Sequence, residues 1–68
     1  MNTFEEARIN AGLTIAELAI EAKISRSTIE KMQRDKPVKV ELAVRASRVL
    51  SQYLGREVTY RGLDIKTV

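Results

Sequence analysis

The stretch TIAELAIEAKISRSTIEKMQR, residues 14–34, holds two short helical patterns folded around a tight break. Leu18, Ala19, Ala22, Ile24, Ile29 and Met32 are apolar at the spacings two packed helices need to bury one another. Thr14-Ile-Ala-Glu17 has the Thr-x-x-Glu form of a capping box, and it follows Gly12, which is placed to stop the helix before it. A helix from there to about Ala22 is predicted. Ser25 then caps the next helix, satisfying free amides at its start for about 1 kcal/mol. That helix, 25–34, turns Ile29 and Met32 inward, with Thr28 on the shoulder. Arg26, Ser27, Thr28 and Lys31 are its hydrogen-bonding face.

Working outward, Asn2 or Thr3 can cap a first helix, and Thr3-Phe-Glu-Glu6 has the capping-box form again. Phe4, Ala7, Ile9 and Ala11 supply its apolar side. Asp35-Lys36-Pro37 closes the third helix, because a residue before proline is disfavoured in the helical region. Residues 40–54 are the longest periodic stretch, with Val40, Ala43, Val44, Ser47, Leu50 and Leu54 recurring at three and four, and Gly55 is its stop. The tail EVTYRGLDIKTV, residues 57–68, reads as an extended segment, or as a turn of helix around Thr59–Leu63 followed by an extended end. Its apolar residues Tyr60, Leu63, Ile65 and Val68 either fold back over helices one and four or make a two-fold interface in a homodimer. The expectation is one all-α domain over 1–68, a bundle of four to five helices with a short irregular or extended C-terminal tail.

Sixty-eight residues bury only about 60% of their unfolded surface, so stability is modest and must come from packed aliphatics. Cysteine and histidine are absent, which removes disulfides, thiolate chemistry and the two strongest zinc ligands. No apolar run approaches the ~20 residues of a membrane span. The start, MNTFEE, is polar and acidic, unlike a signal peptide. The expected setting is cytoplasmic, with no membrane, no cofactor and no evident small-molecule ligand. Charge is unevenly placed. Residues 1–22 set four glutamates against Arg8 alone, whereas residues 23–61 set ten lysines and arginines against four carboxylates. A basic middle suits a polyanion on one face, or is a solvated helical surface. A short helix held out by its partner, with donors at its N-terminal end, fits the major groove of double-stranded DNA.

These features together resemble the helix-turn-helix domain of the phage lambda-repressor and Cro type, the XRE-like family, over residues 4–54. Ala19 early in helix two, Ile24 after the turn, inward Ile29 and Met32, the lead-in Arg8-Ile-Asn-Ala-Gly-Leu13 and the Lys36-Pro37 exit stand where that pattern asks for them. Three positions depart from it. Lys23 stands where the family usually has glycine in the turn; a left-handed conformation there would strain it by roughly 1–2 kcal/mol. Gln33 stands where a glutamate often faces the helix-one arginine, so Arg8 pairs with Glu30 or another carboxylate, or hydrogen-bonds Gln33. Ile15 replaces a glutamine that contacts phosphate.

The resemblance implies a transcriptional regulator, repressor or Cro-like, that reads DNA with helix 25–34. Arg26 is the first candidate for base readout, since its planar fork matches guanine O6 and N7 for about 1–3 kcal/mol of discrimination. Ser27 and Lys31 share its outward face, and Thr28 either offers its methyl to thymine or faces the helix pair. Glu30 either accepts from cytosine or pairs structurally. Ser25 opens a helix whose positive pole favours a phosphate. Thr14 matches a position that contacts backbone phosphate in the family. Arg34, Lys36 and Lys39 surround the exit of helix three and should meet phosphates, which position a protein without reading sequence. Arg45 and Arg48 are solvent-facing or dimer-side charges. The competing reading is a protein-interaction module or antitoxin on the same fold, which would show more apolar anchors on helix three. Catalysis is not expected, since no nucleophile–base pair, metal cluster or glycine-rich phosphate loop presents itself.

Overall fold

The computed structural model describes residues 1–68 and contains four helices and no strands: α1 (Thr3–Asn10), α2 (Ile15–Ala22), α3 (Arg26–Gln33) and α4 (Val40–Leu54). All four follow the expected spans closely; α1, α2 and α3 start at side-chain caps from Asn2, Thr14 and Ser25, and α4 is fixed by its glycine stop. Thr14 Oγ1 accepts from Glu17 N at 3.0 Å, and Glu17 Oε1 accepts from Thr14 N at 2.9 Å, so the capping box of α2 is closed from both sides. Gly55, at φ 71°, ends α4 with its N–H on the Ser51 carbonyl.

The start of α1 departs from the capping box expected at Thr3–Glu6. Asn2 is the cap, its Oδ1 accepting from Glu5 N at 2.8 Å, and Thr3 is already helical. The Thr3 hydroxyl instead reaches the Asp64 carboxylate at 3.4 Å. Ile9 is not part of the inner side and stays 48% exposed. At 100° per residue it sits about 140° round the helix from Phe4, whereas Ala7 and Ala11 stay near Phe4's side.

A second correction concerns the end of α3. Pro37 is not the stop; the helix ends at Gln33, and Asp35 turns left-handed at φ 59°. Lys36 N then returns to Lys31 O at 2.9 Å and Asp35 N to Met32 O at 3.4 Å, the paired bonds of a Schellman ending. The same ending recurs after α2, with Lys23 left-handed, and in the tail, with Asp64 left-handed.

In the tail, Leu63 N donates to Thr59 O, giving one helical turn, and Ile65 N returns to Tyr60 O. An extended end follows. Val38 N donates to Lys66 O and Val68 N to Val38 O, each at 3.0 Å, forming a single parallel bridge between Val38 and Thr67. Leu63 and Ile65 are buried in the chain's own core, whereas Val68 stays exposed. Ser51 anchors the start of the tail, its Oγ accepting from Val58 N at 2.9 Å and lying 2.9 and 3.0 Å from the Ser47 and Val58 carbonyls.

Phe4, Leu18, Ile29, Met32 and Leu50 are the large side chains at the centre, drawn from all four helices. α4 contributes Ala43, Ala46 and Leu50 to this core, and Val40 of the expected stripe stays at the rim. Small residues on α4 let α1 and α2 pack closely against it. Ser47 is the one buried polar residue; its hydroxyl donates to Val44 O at 2.9 Å, and no buried side-chain polar atom lacks a partner.

Candidate functional site

α3 is the helix whose outward residues are all polar. Ser25 caps it from an extended conformation (φ −75°, ψ 153°), its Oγ accepting from Thr28 N at 3.2 Å. The same hydroxyl pairs with Thr28 Oγ1 at 2.8 Å and Ser27 Oγ at 3.1 Å, so three hydroxyls gather at the helix start. Arg26, Ser27, Glu30 and Lys31 are exposed, Thr28 is half-buried, and Ile29 and Met32 are buried. Thr28 therefore lies on the shoulder, with its hydroxyl committed to Ser25.

Both ends of α3 are held. At its start, the α2–α3 turn is closed by Ile24 N to Ala19 O at 3.0 Å and Lys23 N to Ile20 O at 3.3 Å, with Lys23 at φ 59° and ψ 47°. Ala19 is buried here, and Ile24 packs against the core. At its end, Arg8 Nε donates to Gln33 Oε1 at 2.7 Å while Arg8 Nη1 donates to Leu13 O at 2.7 Å. Of the partners weighed for Arg8, Gln33 is the one it takes. The side-chain amide of Asn2 lies within hydrogen-bond distance of Met32 O (2.9 Å), Gln33 O and Asp35 Oδ1 (both 3.1 Å). The cap of α1 thereby satisfies last-turn carbonyls of α3, groups that a helix end otherwise leaves open.

Arg34 follows as the C-cap of α3, and Lys36 and Lys39 lie in the loop to α4; all three are exposed. Lys39 stands at the N-cap of α4 and makes no side-chain cap bond. The structure thus gathers Ser25, Arg26, Ser27, Thr28 and Lys31 on one helix and Arg34, Lys36 and Lys39 at its exit. Thr14 is exposed at the end of α2 remote from the turn, its hydroxyl engaged by Glu17. Arg45 and Arg48 are exposed on α4; Arg45 Nη1 makes a long contact of 3.5 Å with Lys23 O, beside the turn.

The negative charge of Glu21, with lesser parts from burial and the charge of Glu17, raises the Tyr53 phenol above its ordinary pKa of 10.0. Glu21 shares a groove with Lys23, Arg45 and Arg48, so charge there is mixed, while cations outnumber carboxylates at the exit of α3. No three His, Cys, Asp or Glu side chains converge in a way that could hold a metal ion. No helix is long and apolar enough to cross a membrane.

Two residues of this region escape a reading of the sequence. Asn2 shows only its local capping signal, and its contacts to α3 span thirty or more positions. Lys66 reaches the α3–α4 loop only through the pairing of the tail with Val38. Comparison with known proteins returned no matching family model, no matching curated protein and no matching solved structure.

Proposed function

We propose that this protein binds double-stranded DNA in a sequence-selective way and regulates transcription, with α2 and α3 acting as a helix-turn-helix of the lambda-repressor and Cro kind. The observation that carries this reading is α3 itself: a capped helix, fixed at both ends, whose exposed face is Arg26, Ser27, Glu30 and Lys31. A helix with its side chains is about 10–12 Å across, and the major groove is about 12 Å wide. Residues in the first turn of such a helix reach base edges, and cations beside it meet the backbone.

In this arrangement Arg26 donates twice to guanine O6 and N7, for about 1–3 kcal/mol of discrimination. Ser27 and Lys31 contact neighbouring bases or the groove wall. Thr28, with its hydroxyl engaged by Ser25, offers its methyl to a thymine. Arg34, Lys36 and Lys39 bind phosphates and set the register, and Thr14 presents the N-terminus of α2 to the flanking strand. The bonds from Arg8 and Asn2 hold α3 in place before DNA arrives, which limits the ordering cost of binding.

Docking of a protein on α3 is the rival reading, and it lacks an anchor: none of the exposed residues of this helix is aromatic or aliphatic. The test is selection of bound duplexes from a random pool, followed by titration against the winner and a scrambled duplex. Equal affinity for both refutes sequence selectivity. Arg26→Ala is expected to relax preference at one base position, whereas Lys36→Ala weakens all duplexes alike.

A further inference from the structure

Lys66 lies 27 or more positions beyond every other cation of the α3 exit, yet the tail brings it there. Val38 sits between Lys36 and Lys39, and its N–H and C=O are both taken by the tail, on Lys66 O and Val68 N. Side chains alternate along extended backbone. Val38 is buried and its bridge partner Thr67 half-buried, so both point inward. Pro37, Lys39, Lys66 and Val68, each one step away, are turned outward, and all four are exposed. Paired segments run about 4.8 Å apart, so Lys66 stands abreast of Pro37 and shares a face with Lys39.

The neighbouring carboxylates face the start of α1. Asp64 accepts from the Thr3 hydroxyl at 3.4 Å, and Asp35 accepts from the Asn2 amide at 3.1 Å. Glu41, in the first turn of α4, is the other acidic group close in sequence. Lys39 and Lys66 are thus brought to one face by two segments distant in sequence, with Lys36 exposed in the same loop one residue before Pro37.

We propose that Lys39 and Lys66 form one phosphate-binding pair, and that the tail supplies its second cation to the backbone of the duplex read by α3. This inference rests on the DNA-binding reading above. The tail has two parts in it: its backbone fixes the loop that carries Lys36 and Lys39, and its Lys66 ammonium touches the strand.

The test is anisotropy titration of the full chain against a mixed-sequence duplex over a range of salt. Each phosphate contact adds about 0.9 to the slope of log affinity against log salt. Lys66→Gln is expected to lower that slope by about 0.9, which corresponds to roughly eightfold weaker binding at 0.1 M salt. Lys66→Arg keeps the slope. Arg56→Gln, which removes the same charge from an exposed site in the groove between α1 and the tail, also keeps it. Thermal melts should match the parent, since Lys66 contributes only its carbonyl to the fold. An undiminished slope in Lys66→Gln overturns the inference, as does an equal loss in Arg56→Gln, which would show an effect of net charge alone. A parent chain that binds no duplex at all overturns both this inference and the reading beneath it.

Discussion

Replacing Lys23 with glycine should stabilise this protein, and the gain can be worked from the turn. Lys23 holds φ 59° and ψ 47°, a conformation that costs an L-residue about 1–2 kcal/mol because its Cβ crowds the following carbonyl. Glycine removes that cost but brings a more flexible unfolded chain, worth about 0.5–1 kcal/mol in the other direction. Little else changes: the side chain is exposed, and the bonds made at this position are main-chain, from Lys23 N to Ile20 O and from Arg45 to Lys23 O. The net expectation is a gain of about 0.5–1 kcal/mol, which for a domain of this size raises Tm by roughly 2–8 °C. Thermal and urea melts followed by circular dichroism measure it, with Lys23→Ala as the control. Alanine also discards the lysine but keeps its Cβ, so it should give no such gain. If glycine lowers stability, or alanine raises it equally, backbone strain is not stored at this turn.

Asn2→Ala should cost about 1–2 kcal/mol in a denaturant melt, and Asn2→Ser should recover about half, because serine restores the cap of α1 but cannot donate to α3. Recovery of the whole loss by serine would show that the contacts to Met32 and Gln33 contribute nothing. Gln33→Glu should stabilise by up to about 1 kcal/mol at neutral pH by making the bond from Arg8 charge-assisted. That gain is present above the ordinary glutamate range and lost as the new carboxylate protonates in acid, so a benefit that survives at pH 3 refutes it. Absorbance titration in a Tyr60→Phe background should place the Tyr53 midpoint above 10.0, and Glu21→Gln should bring it down. A phenol whose folded pKa is raised favours folding below the unfolded value, and that contribution fades as pH climbs through the folded one. A Tyr53 midpoint indifferent to Glu21 contradicts the charge argument.

The helices were legible in the sequence where one local rule sufficed. The Thr14–Glu17 box, the Ser25 cap, the span 40–54 and the stop at Gly55 each involve groups within four residues of one another. The bond from Arg8 to Gln33 was one of several pairings the sequence left open for that arginine. Rules that ignore neighbours failed elsewhere. Pro37 looks like a breaker, but Asp35 has already turned the chain left-handed, a conformation aspartate tolerates without announcing it. Thr3 and Asn2 compete for the same cap, and what separates them is an amide that α3 needs thirty positions later. Arg26, Ser27 and Lys31 could be placed on an exposed face from helical period alone, while Lys66 could not be assigned to any face before the bridge to Val38 was known.

The bridge at Val38 also makes the basic loop a separately adjustable part. Opening it breaks two main-chain hydrogen bonds, and it leaves every hydrogen bond inside the four helices untouched. Proteins unlatch such segments at a lower free energy than they unfold. The amide of Val38 therefore serves as a gauge: its hydrogen exchange reports how often the loop lets go, independently of how firmly α1 to α4 hold together. Sequence changes confined to residues 66–68, outside the buried core, can retune that frequency while leaving α3 and its packing as they are.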